Sequence, residues 1–314
     1  MSKIHPSAVI DPSAELGSGV SVGPFAVLGP DVVLGDDCEV GASAQVRGPA
    51  RFGRGNRIFP NACVGFEPQD LKYKGEEVRL EVGDGNVFRE FSTIHRGTQF
   101  GGGVTRIGDG NLFMAYSHVA HDSQVGSRTV FVNGATLAGH VEVGDDATIG
   151  AFSAIHQFCR VGRHAYVGGF SVVTMDALPF VKTVGQKASC YGLNAIGLRR
   201  KGFDRETIRR LRRAVRILVH SGLNTRQALE RIEAEVGDDP EVAYLVEFAR
   251  AAERGFVKSA PGRRGERGGA GEDAEDAEDA EILAEPDAPD AGLGEEEAGE
   301  AVAGPVGSPS RGGA

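Results

Sequence analysis

The chain has no tryptophan, and only 7% of its 314 residues are aromatic. That argues against one large core of aromatic side chains, and the 46 glycines suit an architecture of small repeated turns. Cysteine is sparse. Cys38, Cys63, Cys159 and Cys190 show no C-x-x-C spacing, so neither a thiol-redox motif nor a zinc ribbon is present. Free core thiols of a reducing compartment are the expectation. No stretch approaches the ~18 consecutive apolar residues of a membrane-spanning helix. Residues 1–10 lack the basic segment and apolar run of a secretory signal. A soluble, cytoplasmic chain without membrane insertion is expected. A charge of one sign is also missing from most of the chain. Residues 259–314 hold 4 basic and 15 acidic residues, which accounts for the formal net charge of −10 and leaves the remainder close to neutral. Global acidity therefore says nothing about partners, and no nucleic acid is expected.

What the chain does have is a period of six. An aliphatic residue or Phe leads each hexad from Ile4 through Ile10, Leu16, Val22 and onward to Val64, and again from Ile107 to Val173. Six is neither the 3.6 of a helix nor the alternation of a half-buried strand. It is the signature of a hexapeptide β-helix, whose repeats bury their apolar edge only by stacking on one another. Small residues often stand four places after the lead (Ala8, Ala14, Ala26, Cys38, Ala44), where they let the chain turn a corner. Three hexads make a triangular coil of 18 residues, and coils stack ~4.8 Å apart. The phase breaks over 65–81, a polar stretch read as an exposed loop. It resumes at Val82, Phe88, Ile94 and Phe100, then slips by one residue over 100–106, where Gly101-Gly102-Gly103 absorbs the extra length.

The β-helix is expected over 1–190. Residues 191–257 read as a small α-helical C-terminal domain of three helices. The first is capped by Asp204, the second by Thr225 and stopped by Gly237, and the third starts near Pro240. The arginines of the first helix read as a solvated face, with docking of an acidic protein as the alternative. Residues 258–314, with EDAEDAEDAE, form a disordered acidic tail too poor in apolar residues to fold.

Periodicity also places the histidines. Val119, Leu137 and Ile155 are 18 residues apart, so His121, His140 and His156 share one face of three stacked coils, with His118 at the adjoining corner. Such a cluster has three readings. It is a solvated surface, a zinc site with an open position, or an acid–base centre working near neutral pH. In an acyl transfer His121 would take the proton of an attacking hydroxyl and Asp122 would orient it, which requires a corner between the two residues. The unobstructed N–H of Gly139 could serve an oxyanion one coil away.

At this point the residues match a known family. The segments QDLKY (69–73), TIHRGT (93–98), GGGVT (101–105), HVAHD (118–122), ATLAGHV (135–141), HQFC (156–159), GLN (192–194) and GLRRKGF (197–203) resemble the acyl-carrier-protein–UDP-N-acetylglucosamine O-acyltransferases, which begin lipid A synthesis. The resemblance spans about 4–257. It implies a left-handed parallel β-helix, a homotrimer with active sites between subunits, and transfer of a (3R)-3-hydroxyacyl group from acyl carrier protein to the glucosamine 3-hydroxyl. It assigns the base to His121, with Asp122 beside it, and the oxyanion N–H to Gly139. It gives sugar contacts to Asp70, Lys72, His118 and His140, and nucleotide or substrate contacts to His95, His156, Gln157, Asn194, Arg200 and Lys201. Gly169 matches the position that limits the acyl groove, where glycine favours a longer chain. No metal and no further cofactor are implied, since the acyl group arrives on the carrier's phosphopantetheine. Two positions depart from the family. Ile196 stands where some members have a Glu, and Lys201 stands where a second Arg is common, which removes bidentate phosphate geometry. Two other activities stay open: N-acylation of a 3-amino UDP-sugar, and a zinc hydratase of the β-helical carbonic anhydrase type.

Overall fold

A computed structural model describes residues 2–236 and 238–259; the expected acidic tail lies outside the described residues from position 260 onward, as does Gly237. The chain winds into a left-handed parallel β-helix with three faces. Lead residues of successive hexads fall in turn on face one, face two and face three. Within the unbroken runs a lead pairs in parallel with the residue 18 later, as in Val22 with Val40, Leu28 with Val46 and Val125 with Val143. The lead side chains point inward and are almost fully buried (Leu28, Val46, Phe113, Leu137 and Ile149 among them), while the residue before each points out. Burial of this kind contributes ~1.5–3 kcal/mol per large side chain. Inside the prism Phe88, Phe113 and Phe131 stack at 5.0 and 4.8 Å.

Most corners are turned by the residue three after the lead, which adopts a positive φ. It need not be glycine: Phe25, Asp37, Asp122, His140, Phe158 and His164 all lie between 55° and 63°. A left-handed residue with a Cβ costs about 1 kcal/mol, so stacking of the coils must hold the corners in place. The small residue expected next is buried, as at Ala26, Ala44, Ala62 and Ala147. Midway along the edge between faces three and one, from Asn56 to Thr129, that position carries a buried polar ladder instead. Asn56 Oδ1 accepts from Asn86 Nδ2 at 3.0 Å, Asn86 Oδ1 from Asn111 Nδ2 at 2.8 Å, and Asn111 Oδ1 from the Thr129 N–H and hydroxyl at 2.8 and 2.7 Å.

Both breaks in the six-residue phase leave the prism at the same edge, between faces two and three. Val64 pairs with Ile94, thirty residues on, and Val82 with Ile107, twenty-five on, instead of eighteen. The first excursion is shorter than 65–81. Strand Cys63–Phe66 carries the sheet past Gly65, and Arg79–Val82 rejoins it with Leu80 fully buried. The second differs more from expectation. Phe100 is not a core lead. It is 79% exposed on a 3-10 turn, Gln99–Gly101, and the place on face three belongs to Ile107. An apolar residue at the expected spacing hid a longer corner.

Beyond Val173 the sheet continues past Pro179. Val181–Val184 adds to face one, and Ser189–Leu193 pairs with it antiparallel, so sheet structure crosses residue 190. Among the described residues four helices follow: α1 (Ala195–Arg200), α2 (Arg205–His220), α3 (Thr225–Glu235) and α4 (Pro240–Arg250). The short α1 has no amphipathic stripe to reveal it in the sequence. Asp204 caps α2 as expected, but α3 is capped by Asn224 rather than Thr225, through a capping box with Gln227. The helices return to the solenoid through buried Asp176. Its carboxylate takes the Arg160 N–H and Nε at 2.8 Å, while Arg160 also reaches the Phe248 carbonyl at 2.9 Å. On α2, Arg209 and Arg210 pair with Glu206, and Arg213 pairs with Glu235.

Candidate active site

The edge that receives both excursions also carries the histidines. Asp122, at φ 61°, is the corner residue after Val119, and the turn brings two neighbouring side chains onto one side. His121 Nδ1 meets Asp122 Oδ2 at 2.8 Å. His140, the corner residue one coil on, lies across its ring at 5.2 Å in an edge-to-face arrangement, and its Nε2 is 3.6 Å from the same Oδ2. Phe158, one coil further, stacks flat on His140 at 4.5 Å. It holds that ring in place, a role to which nothing in the six-residue period points.

The Asp122 side chain has no solvent exposure. Burial alone would push its carboxyl up, but hydrogen bonds from His121 and from the Thr98 N–H and hydroxyl together outweigh burial and hold it below the usual carboxylate range. It is therefore an anion at neutral pH. His140 is lowered by burial and by His121, against the pull of Asp122 and Asp70. The spacing put His118 at the adjoining corner; it stands instead on face two, in the strand just before Val119, where its Nδ1 shares a 2.7 Å hydrogen bond with Thr93 Oγ1. Burial lowers its pKa. His95, edge-to-face with His118 at 5.1 Å, is lowered to about 4, mainly by burial and then by His118 and His121. Both are neutral at pH 7.

Gly139 lies directly under His121. A Cβ there would meet the ring at 2.5 Å, so only glycine lets the imidazole close on this backbone. Its N–H finds no acceptor among the described residues, and the coil geometry explains why. The N–H two residues after a lead lies outside the strand ladder, so Pro12, Pro24, Pro30 and Pro60 can fill the position elsewhere. On the edge between faces three and one, the side chain of the next coil takes up this N–H, as Asp36 does for Ser18 at 2.7 Å and Asp145 does for Ser127 at 2.9 Å. Gln157, the counterpart above Gly139, makes no such bond. A free donor thus sits beside the imidazole.

The remaining predicted residues divide by edge. Asp70 and Lys72 ride the first excursion, on the His121 edge. Asp70 Oδ1 takes the Lys72 N–H at 2.9 Å, and its charge bears on His140. His156 is exposed there, with Nδ1 on the Gln157 carbonyl at 3.0 Å, outside the histidine pair. Among the described residues, the groups that could hold a cation are therefore His121, Asp122 and His140, all within 4.8 Å of one another, rather than three histidines. Asn194, Arg200 and Lys201 are not brought to this edge. Asn194 caps α1 and donates to the His164 carbonyl at 3.1 Å, and Lys201 Nζ pairs with Asp146 at 2.9 Å; both partners are corners between faces three and one. Arg200 and Ile196 are exposed on α1. Gly169 lies on the third edge, between faces one and two, with nothing nearer to its Cβ position than the Ala151 carbonyl at 3.3 Å. All four cysteines are free thiols.

Comparison with known proteins agrees with the architecture. A bacterial transferase hexapeptide family matches residues 13–48 and 140–174, and the family described as Udp N-acetylglucosamine O-acyltransferase, domain 2, matches 176–257. The acyl-[acyl-carrier-protein]–UDP-N-acetylglucosamine O-acyltransferase of Halorhodospira halophila is 47% identical over 258 residues, covering 82% of this chain and all of that one. Its counterpart in Thiobacillus denitrificans is 46% identical over 203 residues, 65% of this chain and 79% of that protein. Among solved structures, LpxA from Acinetobacter baumannii superposes with a TM-score of 0.79 at 41% identity, covering 81% of this chain and 99% of that one. The UDP-N-acetylglucosamine acyltransferase of Arabidopsis does so at 0.65 and 33%, covering 82% and 100%. A β-helix of this period, closed by these helices and matching a full-length relative at that identity, places the chain in the family of acyl-carrier-protein–UDP-N-acetylglucosamine O-acyltransferases.

Proposed function

We propose that this protein transfers a (3R)-3-hydroxyacyl group from the thioester of acyl carrier protein to the glucosamine 3-hydroxyl of UDP-N-acetylglucosamine, the opening step of lipid A synthesis. The observation that carries the chemistry is the His121–Asp122 pair closed over the free Gly139 N–H. With Nδ1–H donated to Asp122, Nε2 accepts the proton of the sugar hydroxyl as its oxygen attacks the thioester carbonyl. The carbonyl oxygen becomes an oxyanion served by the Gly139 N–H. Collapse expels the carrier thiolate, which takes the proton back from His121. His118 and His140, both kept neutral, bind the sugar with Asp70 and Lys72. His95, His156, Gln157, Asn194, Arg200 and Lys201 contact the nucleotide or substrate, and Gly169 opens the acyl groove to a longer chain.

These residues fall on all three edges of one prism, so a single copy does not gather them. A homotrimer with sites between subunits brings an edge of one copy against an edge of the next, which supports that assembly. Among the described residues no helix is long and apolar enough to cross a membrane. The cytoplasm is the proposed compartment, since both substrates are water-soluble.

The test is a mass-spectrometric transfer assay offering UDP-N-acetylglucosamine and its 3-amino analogue with 3-hydroxyacyl carrier proteins of several lengths. Acylated UDP-N-acetylglucosamine that disappears in a folded His121→Ala variant is expected. Product from the amino analogue alone would move the acceptor from oxygen to nitrogen. Because His121, Asp122 and His140 also have the spacing of metal ligands, the assay is repeated after chelation. Unchanged turnover is expected, and loss restored by zinc would favour the metal reading.

A further inference from the structure

The second excursion does more than lengthen a corner. Its residues wrap the carboxylate of Asp122, the partner of His121. Asp122 Oδ1 accepts the Thr98 N–H at 2.7 Å, and Oδ2 accepts the Thr98 hydroxyl at 2.7 Å. That hydroxyl in turn accepts the Gly101 N–H at 3.2 Å, which leaves its own hydrogen aimed at the carboxylate. The Asp122 N–H donates to Thr105 Oγ1 at 2.8 Å, so the backbone of the corner is held as well. Thr98, Thr105 and Asp122 are all buried, and a Cβ on Gly101 would stand 2.0 Å from Asp122 Cγ. The 3-10 turn Gln99–Gly101 exists around these contacts: Thr98 is its cap, and Gly102 and Gly103, at φ 91° and 80°, let the chain leave it.

We propose that Thr98 is a positioning residue for the transfer reaction, forming with Gly101 a carboxylate cradle that fixes Asp122 and, through it, the imidazole of His121. The Thr98 hydroxyl and His121 Nδ1 share one oxygen, Oδ2. The hydroxyl therefore does two things. It fixes where that oxygen lies, and it draws off part of the charge that would otherwise act on His121. A threonine needed only to cap the turn could hold its hydroxyl on Gly101 without reaching an oxygen that already serves the histidine. The inference rests on His121 being the base, and the experiment separates the two.

Thr98→Val keeps the shape and the backbone N–H to Oδ1 and removes only the hydroxyl. Charge-assisted hydrogen bonds of this kind are worth roughly ten- to a hundredfold, so kcat should fall by about that factor with KM for UDP-N-acetylglucosamine unchanged. The acid limb of the kcat/KM profile should move to higher pH, because Oδ2 then keeps more charge for the His121 imidazolium. Thr98→Ser should restore both. Gly101→Ala reaches the same carboxylate by steric push from a partly exposed turn and decides the matter if Thr98→Val does not fold; it too should lower kcat. A Thr98→Val enzyme with wild-type kcat and acid limb, a Thr98→Ser enzyme as impaired as Thr98→Val, or a fully active Gly101→Ala enzyme overturns the cradle. His121→Ala is measured beside them. If it keeps its turnover, the base assignment has failed; if it is dead while Thr98→Val and Gly101→Ala are normal, only the cradle has failed.

Discussion

Gly139→Ala adds one methyl group at the most crowded point of the site. The new Cβ would lie 2.5 Å from His121 Cε1 and 2.8 Å from Nε2. Carbon atoms in contact sit ~3.5–4.0 Å apart, so the ring must retreat by about 1 Å. The retreat breaks its 2.8 Å bond to Asp122 and moves Nε2 away from the hydroxyl it serves. A misplacement of that size costs roughly a hundredfold, and full loss of a general base ~10²–10⁴-fold. We expect kcat to fall by at least about a hundredfold. The fold should not suffer. Gly139 is not among the positive-φ glycines, alanine removes unfolded-chain entropy at such a site, worth ~0.4–1 kcal/mol, and the clash is with a movable side chain. Gly144→Ala is the control. There the Cβ would meet the Arg163 backbone nitrogen at 2.6 Å, which cannot swing away, so stability should fall. The assay is steady-state transfer from acyl carrier protein to UDP-N-acetylglucosamine, with thermal unfolding of both variants. A folded Gly139→Ala enzyme with kcat within about twofold of wild type would refute the placement of His121 over Gly139.

Acid should destabilise the protein through His95. Its folded pKa of about 4 lies below the unfolded value near 6.5. Between those values the unfolded chain binds the extra proton, so stability is present above pH ~6.5 and is lost as pH falls towards 4, by about 3 kcal/mol in all. Denaturant unfolding at pH 7 and pH 5, at fixed protein concentration, should show a smaller loss for His95→Gln than for wild type; equal losses would contradict the assignment. Asn111→Ala should cost about 2–4 kcal/mol, because it strands the buried Thr129 N–H and breaks the Asn86–Asn111 link. Chemical denaturation reads that cost, and a loss under ~0.5 kcal/mol would show that the ladder is dispensable.

Much of this site could be read from spacing. Residues 18 apart stack, so His121, Gly139 and His140 had to share an edge once the period was seen, and a corner between His121 and Asp122 was required for them to meet. Three things stayed hidden for physical reasons. Phe100 kept the apolar spacing while standing outside the prism, since a six-residue rule counts residues and not corners. Thr98 and Thr105 belong to segments matched to the family, but their work on Asp122 depends on how a glycine run folds back, which periodicity does not encode. The short α1 is set by Asn194, whose side chain caps the helix at Gly197 while reaching the His164 carbonyl, and a single polar residue gives no pattern.

The regular winding gives the chain a built-in coordinate system. Within an unbroken run, a residue's remainder on division by eighteen fixes its direction around the prism, and the quotient fixes its height. One residue gained or lost inside a strand would turn every later side chain to a wrong bearing, much as a frameshift garbles each downstream codon. The two excursions escape this because they leave and rejoin between Phe66 and Arg79, and between His95 and Val104, without altering which lead residue stacks on which. A length change confined to either excursion should therefore leave the stacking of the lead residues unaltered, whereas one inside a ladder strand should not, so the backbone that shapes the site is held to the site's own contacts rather than to the register of the solenoid.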